Sequence, residues 1–355
     1  MDAGPHGTAH ESGQINIDQP GVLAAYLVER GLIGAAETPE VRTLAGGVSN
    51  RTVLVVRSDG SAWVAKQALH RLRVQAEWWC SPQRIHREAA GLRVLNELLP
   101  PGTTPLFVYE DHTAHVLVMT AVPQPHTNWK DSLLAGQVDD THVAQFGTLL
   151  GTMHRQGYHR REAISRAFGD TTYFETLRLE PYYRYTATQV PQAASFYAEL
   201  IDTTARRRLT LVHGDYSPKN VLVHQGDLVL LDYEVIHYGD PAFDLGFGLT
   251  HLLSKAHHLP LYRARLAQAA RQFWSYYTAA LGDVPWQAAL EPMAVRHSLG
   301  CLLARVDGRS PLEYLSRPER ARQRAAVVAL MARPPETIDG LVRQFLEGIV
   351  CDADH

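Results

Sequence analysis

The first third of the chain has a β-strand pattern. Two short apolar runs, Val53-Leu54-Val55-Val56-Arg57 and Ala62-Trp63-Val64-Ala65-Lys66, flank Ser58-Asp59-Gly60-Ser61, and Asp-Gly between two such runs marks a hairpin. From 83 to 99 the spacing becomes helical, with Ala90, Val94, Leu95, Leu98 and Leu99 on one side, until Pro100-Pro101-Gly102 stops it. Two more strands are predicted at 106–109 and 115–119, followed by Pro123 and Pro125, where a lobe boundary is expected. Beyond them Val143, Phe146, Leu150 and Met153 recur at helix spacing and the helix ends near Gly157; further helices are predicted at 189–206, 260–281, 286–305 and 317–350. One β island, 209–235, interrupts these helices. A β-rich front lobe over 18–122 and a mostly helical rear lobe over 123–355 make an α+β arrangement.

Composition narrows the function classes. With 355 residues, 45% hydrophobic and 20% charged, the chain has the size for two lobes and the balance of an ordinary globular protein. A formal net charge of −3 gives no nucleic-acid footprint and no polybasic membrane anchor, and no apolar run reaches the length that spans a bilayer. The cysteines, Cys80, Cys301 and Cys351, have neither disulfide nor zinc spacing and fit a reducing cytoplasm. The 18 histidines show no metal spacing and are read as background. Residues 1–14 are polar and lack the apolar core of a signal peptide, so a disordered tail is expected through residue 17.

The β island carries the chemistry. It reads His213-Gly214-Asp215-Tyr216-Ser217-Pro218-Lys219-Asn220, then Val221-Leu222-Val223, a turn at Gln225-Gly226-Asp227, and Leu228-Val229-Leu230-Leu231-Asp232. A hairpin centred on Gly226 pairs Val221 with Leu231 and faces Asn220 with Asp232, with Cβ atoms about 5 Å apart. An amide oxygen and a carboxylate so placed share a hard cation such as Mg²⁺, and Asp215 reaches the same spot from the loop. Any one of these residues alone suits an ordinary turn; their joint spacing does not. Phosphoryl transfer asks for such parts: a carboxylate for the attacking hydroxyl, oxygen ligands for the metal, and a cation for the nucleotide phosphates. The front lobe offers Lys66, expected opposite Val53 and beside Ala45-Gly46-Gly47-Val48-Ser49-Asn50. There Gly46 and Gly47, with Ser49 and Asn50, would let backbone amides approach phosphate oxygens. Glu88 on the following helix would pair with Lys66. Val64 would cover one side of the base, and the backbone from Thr120 to Val122 would choose between ATP and GTP, a choice left open. His213 is read as a structural hydrogen-bonding residue rather than a base, and Lys219 as either a phosphate contact or a surface charge.

His213-Gly214-Asp215-x4-Asn220 followed by Asp232 resembles the catalytic and metal-binding signature of the aminoglycoside phosphotransferase and choline kinase superfamily. The resemblance runs over roughly residues 40 to 310. It implies a bilobal protein-kinase-like fold, with Asp215 catalytic and Asn220 and Asp232 on the metal. Gly239-Asp240-Pro241-Ala242-Phe243-Asp244-Leu245 fits the same superfamily, and there Asp244 would brace the catalytic loop rather than react. Val64-Ala65-Lys66-Gln67-Ala68-Leu69, with Arg73, Trp78, Arg87-Glu88, Trp129 and Leu133-Leu134, is more narrowly similar to methylthioribose kinase, a resemblance that leaves a homodimer open. Tyr216-Ser217-Pro218-Lys219-Asn220 and Tyr233-Glu234-Val235 depart from that narrower pattern. Glu234, with Arg305 and Asp307 of the polar knot Ala304-Arg305-Val306-Asp307-Gly308-Arg309-Ser310, is a candidate acceptor contact.

Eleven residues between Asp232 and Asp244 leave no room for a protein kinase's activation segment and peptide platform. The absence of G-x4-G-K-[ST] excludes a P-loop NTPase. A nucleotide-binding pseudokinase is expected to lack one of Lys66, Asp215, Asn220 or Asp232, and all are present. From 281 to 355 ten acids stand against nine arginines and no lysine, whereas a pocket for polycationic aminoglycosides should carry an acidic surplus. The expectation is a cytoplasmic, Mg²⁺-dependent enzyme that moves a nucleotide γ-phosphoryl group to a hydroxyl of a sugar, nucleoside or antibiotic. An antibiotic-inactivating role comes first, a metabolic sugar kinase of methylthioribose kinase type is the alternative, and neither nucleic acid nor membrane is a partner.

Overall fold

In the computed structural model, which describes residues 15–44, 49–71 and 79–351, the front-half apolar runs pair into a five-stranded sheet. Its strands are β1 (Glu40–Thr43), β2 (Asn50–Val56), β3 (Ala62–Ala68), β4 (Phe107–Asp111) and β5 (Val116–Thr120), in the order β1-β2-β3-β5-β4. With helix α1 (Pro20–Glu29) they make up the first of two units, Met1–His86 with Val108–Ala121. Alternation along β3 sends Ala65 and Gln67 into the core and leaves Val64 and Lys66 half-buried on the opposite face. The core joins Val53, Val55, Val116 and Val118 to Leu23 and Leu27 of α1, and Ile17 is buried in it. The expected tail therefore does not extend to residue 17. Gly46 and Gly47 of the expected phosphate loop lie outside the described residues.

The first hairpin loop is one residue longer than the Asp59-Gly60 turn that would set Lys66 opposite Val53. The Arg57 amide donates to the Ser61 carbonyl, closing a three-residue loop in which Gly60 has φ +83°, the loop type that needs a left-handed third residue. Lys66 consequently pairs with Thr52 rather than Val53. Histidines that spacing left as background are gathered by the sheet. His86 Nδ1 lies 2.6 Å from Glu110 Oε1, His86 Nε2 lies 3.1 Å from His115 Nδ1, and the His86 ring stacks on His112 at 4.1 Å.

The second unit, Arg87–Phe107 with Val122–His355, begins within α2 (Arg84–Leu98) and is mainly helical. Its principal helices are α3 (Asp140–His159), α4 (Ala194–Arg206), α5 (Pro241–His258), α6 (Arg263–Leu281), α7 (Leu290–Asp307), α8 (Arg317–Ala332) and α9 (Ile338–Cys351). The single helix expected over 317–350 is thus two, because Pro334 and Pro335 cannot continue a helix. Short strands β6 (His126–Asn128), β8 (Val221–His224) and β9 (Asp227–Leu230) form one sheet, and β7 (Thr210–Val212) with β10 (His237–Gly239) another. Helix α5 escapes sequence reading because it is buried on every side from Pro241 to His257, so it has no polar stripe to set its period. Among the described residues no helix is long and apolar enough to cross a membrane.

Glycines let α3 and α6 touch backbone to backbone. A Cβ on Gly147 would sit 2.7 Å from the Phe273 carbonyl oxygen, and one on Gly151 would sit 2.5 Å from that of Tyr277. Helix propensity says that Gly→Ala stabilises by about 1 kcal/mol; the crowding says the reverse, with overpacking costing about 1–3 kcal/mol. Gly151→Ala is expected to lower the urea midpoint of unfolding, and a raised midpoint would refute the close crossing.

Candidate active site

Strand β7 pairs with β10, Val212 opposite His237, and delivers the segment that begins at His213. Asp244, in the first turn of α5, receives its backbone. Asp244 Oδ2 accepts from the His213 amide at 2.7 Å, and Oδ1 accepts from the Gly214 amide at 2.8 Å. His154 of α3 contacts the same carboxylate at 3.2 Å through Nε2, while its Nδ1 meets the Tyr277 hydroxyl of α6 at 2.9 Å. Burial alone would raise the Asp244 carboxyl, but the His154 hydrogen bond, the His154 and His213 charges and the Gly214 amide hold it below its ordinary value. Gly214 has φ +79°, and a Cβ there would lie 2.9 Å from both Cγ2 and the carbonyl oxygen of Val235. Asp244 is therefore a brace, the role its family resemblance implies.

His213 is buried and its Nδ1 accepts from the Asp215 amide at 3.2 Å. Burial lowers its pKa, against the nearby charges of Asp244, Asp215 and Asp232, so the ring stays neutral and acts as a strut.

Asp215 is held through one oxygen. Its Oδ2 accepts from Asn220 Nδ2 at 2.6 Å and pairs with Arg178 Nη2 at 2.9 Å, while Asn220 Nδ2 also reaches the Asp215 carbonyl at 3.0 Å. Arg178 in turn donates through Nε to the Gly214 carbonyl at 2.8 Å and through Nη1 to that of Leu177 at 2.7 Å. Burial would lower the Arg178 pKa, but Asp215, and more weakly Tyr182, Glu234 and Asp232, raise it overall. Sequence reasoning missed Arg178. It sits in a π-helical stretch, Glu175–Arg184, that contains Pro181, and its one signal is a charge between Leu177 and Leu179. Such wide turns recur at functional sites.

The second hairpin also differs from expectation by one residue. Gln225 (φ +52°) and Gly226 (φ +88°) form a two-residue turn of the kind whose twist matches the strands. Val221 therefore pairs with Leu230, and the Leu231 amide donates to the Asn220 carbonyl. Asn220 faces Leu231 instead of Asp232. Asp232 follows with φ +71°, a left-handed non-glycine conformation that breaks the strand alternation. The side chain is half-buried beside the buried Glu234.

The remaining predicted residues are dispersed. Ser49 and Asn50 are buried at the start of β2, where the Arg84 guanidinium donates to the Ser49 carbonyl and Asn50 Oδ1 has no hydrogen-bond partner. Thr120 ends β5, Val122 lies in the second unit, and Glu88 is fully buried on α2. Arg305 and Asp307 are in the last turn of α7, not in a loop. Asp307 is taken by Arg324 Nε at 2.6 Å, whereas Arg305 is buried and donates through Nη1 to the Tyr182 hydroxyl at 3.0 Å and to Ser310 Oγ at 2.9 Å. The Lys219 side chain is exposed and its carbonyl accepts from Asn128 Nδ2 at 2.7 Å.

Comparison with known proteins places this geometry in a lineage. The model of a phosphotransferase enzyme family matches residues 40–282. Methylthioribose kinases 2 and 1 of Oryza sativa subsp. japonica are each 25% identical over 228 residues, covering 57% of this chain and 53% of theirs, so the chain spans about half the length of the curated relatives it matches. Among solved structures, amicoumacin kinase hAmiN in complex with AMP-PNP and Ca²⁺ aligns with a TM-score of 0.54 at 18% identity, over 84% of this chain and 89% of that one. A choline/ethanolamine kinase family protein from Mesorhizobium loti aligns with 0.50 at 15% identity, over 92% and 98%. These likenesses establish the α+β kinase-like fold, and the superfamily resemblance read from the motif is borne out together with its methylthioribose kinase-like features.

Asp244→Ala would strip two buried amides of their acceptor, an expected cost of about 3 kcal/mol. Asp244→Asn, which keeps one carbonyl oxygen, should cost less. Equal denaturation midpoints for wild type and Asp244→Ala would remove the brace.

Proposed function

The chain belongs to the phosphotransferase enzyme family, and from that premise we propose that it moves the γ-phosphoryl group of ATP or GTP to a hydroxyl of a small molecule. The observation that carries this reading is the asymmetric hold on Asp215: Oδ2 takes both Asn220 and Arg178, which leaves Oδ1 for the acceptor. The acceptor O–H donates to Oδ1, its oxygen forms the new bond to the γ-phosphorus, and the bond from that phosphorus to the β,γ-bridging oxygen breaks. The proton passes to Asp215 and the electron pair leaves with the nucleoside diphosphate. Arg178 is a positioning residue, since it acts through Asp215 and through the Gly214 carbonyl.

The donor set suits Mg²⁺. Asn220 spends Nδ2 on Asp215, which leaves its Oδ1 as a ligand atom, and Asp232 adds a carboxylate; hard cations take such oxygens. When bound, the ion supplies neutralisation of phosphate charge. Lys66, with Ser49, Asn50 and the Gly46-Gly47 segment, is assigned to the nucleotide phosphates, Glu88 to the support of Lys66, and Val64, Thr120 and Val122 to the base. Adenine nucleotide use is supported by the AMP-PNP bound to the amicoumacin kinase of similar fold. For the acceptor, an antibiotic is kept first, beside an amicoumacin kinase of similar fold, and identity to methylthioribose kinases favours a sugar. Glu234 is kept as an acceptor contact. Asp307 is not, since Arg324 occupies it.

A screen of sugars, nucleosides and antibiotics with radiolabelled nucleotide tests the reading. Asp215→Ala should lower turnover about 10³-fold while nucleotide affinity stays within a few-fold of wild type; undiminished turnover would sink the assignment. Asp232→Ala should abolish Mg²⁺-dependent nucleotide binding in calorimetry, and retained metal dependence would contradict the ligand role.

A further inference from the structure

Along α5, Phe247, His251 and Lys255 share one stripe at four-residue spacing. Lys255 is fully buried, yet its Nζ has only the His251 carbonyl at 3.3 Å and the face of the Tyr314 ring at 5.4 Å. Around it several polar atoms are shut off from water and have no hydrogen-bond partner among the described residues: His251 Nε2, Tyr314 Oη and Arg305 Nε. Unmade hydrogen bonds at buried groups cost about 1–3 kcal/mol each, so a cluster of them is a demand for a ligand. Every one of these groups can donate, and the lysine and arginine can do nothing else. Neither cation meets a carboxylate: Arg305 Nη1 is spent on Tyr182 and Ser310, and Glu313 is engaged by Lys130. The cluster is continuous with the Asp215 wall. Arg178 pairs with Asp215 and lies over the Tyr182 ring at 5.9 Å, Tyr182 packs on Phe247 at 5.8 Å, and Phe247 on His251 at 5.2 Å.

We propose that Lys255, Arg305, His251 and Tyr314 form an anion site, and that the phosphoryl acceptor carries a singly charged carboxylate that occupies it. The assignment of this anion to the acceptor rests on the phosphotransferase reading; the anion site itself does not. Arg305 and a lysine that is only partly protonated near neutral pH supply between one and two positive charges, which a singly charged carboxylate does not exceed and a phosphate dianion does. Burial, then Lys130 and Arg305, push the Lys255 ammonium down to about 7, against the weaker pull of Glu313 and Asp131. The same burial and the charges of Arg305, Lys255, Lys219 and Lys130 keep His251 neutral, and a neutral imidazole still offers one N–H. A bound carboxylate would raise the lysine, so binding takes up a proton near neutral pH. Only the protonated form of the site binds, so affinity should fall as pH rises through about 7.

The test uses the full chain without nucleotide. Sodium gluconate, neutral sorbitol and inorganic phosphate are titrated by calorimetry at constant ionic strength, at pH 6 and pH 8.5 and in buffers of different ionisation enthalpy. Expected are binding of gluconate but not sorbitol, no preference for phosphate, proton uptake above pH 7, and at least about tenfold weaker binding at pH 8.5. Lys255→Met removes a buried charge and should fold; it is expected to lose gluconate binding and its proton uptake. Gluconate behaving like sorbitol, phosphate binding better, or Lys255→Met binding gluconate as the wild type does would each overturn the proposal. Acceptor turnover in the wild type and its loss in Asp215→Ala judge the kinase reading separately, so either idea can fail while the other stands.

Discussion

A single buried carboxylate fixes the geometry on which the site depends. Asp244 is fully buried, and an uncompensated charge there would cost several kcal/mol. Two backbone amides and a histidine offset that cost, and each ties the acid to a different part of the fold. The amides belong to the loop, His154 to α3, and the hydroxyl behind His154 to α6. The backbone leading into Asp215 is thus held to helices, while the side chains of Asn220 and Arg178 orient its carboxylate. Gly214 completes the constraint, since Val235 leaves no space for a side chain at that bend.

Charge at the loop converges on Arg178. Asp215, then Tyr182, Glu234 and Asp232, all raise its pKa against burial. Arg178 bonds Asp215 and two carbonyls, so its charge is localised at one end of the acidic group. On the proposed reading the Asp232 carboxylate would be an oxygen ligand for a divalent cation. The same arginine orients Asp215, and on the proposed reading metal binding and proton transfer would fall to different acids.

The strands, the main helices and the chemical motif were legible because each follows a local rule: alternation, helical spacing, Asp-Gly turns, and His213 to Asn220 as one contiguous run. Register was not. Both hairpins closed one residue away from the reading of their turns, 58–60 one residue longer than Asp59-Gly60 and 225–226 one residue shorter than Gln225-Gly226-Asp227, because left-handed residues at Gly60, Gln225 and Gly226 select the loop type. A one-residue slip exchanges the faces of a strand, which is why Asn220 and Asp232 were set opposite each other on paper. Helix α5 was invisible for the opposite reason to most loops, being buried on all sides, its polar residues included. Arg178 lay beyond reach because its partners are distant in sequence and its π-helical backbone follows no common period.

Charge counting shows the same limit from another side. Over 281–355 acids and arginines nearly cancel, which argues against a polycationic acceptor. In the folded chain the cancellation is made by particular pairs: Arg324 with Asp307, Arg343 with Glu347, and Asp339 with Arg271 from α6. Those pairs are largely on the surface, where water screens them. Arg305 is buried and belongs to none of them, and Lys255 comes from outside the counted segment altogether. The potential inside a pocket is governed by the nearest unpaired charges, since Coulomb energy falls with distance and rises as the medium becomes less polar. A balanced sum is therefore compatible with a strongly positive interior, and acceptor charge has to be read from which partners each cation has, not from how many cations there are.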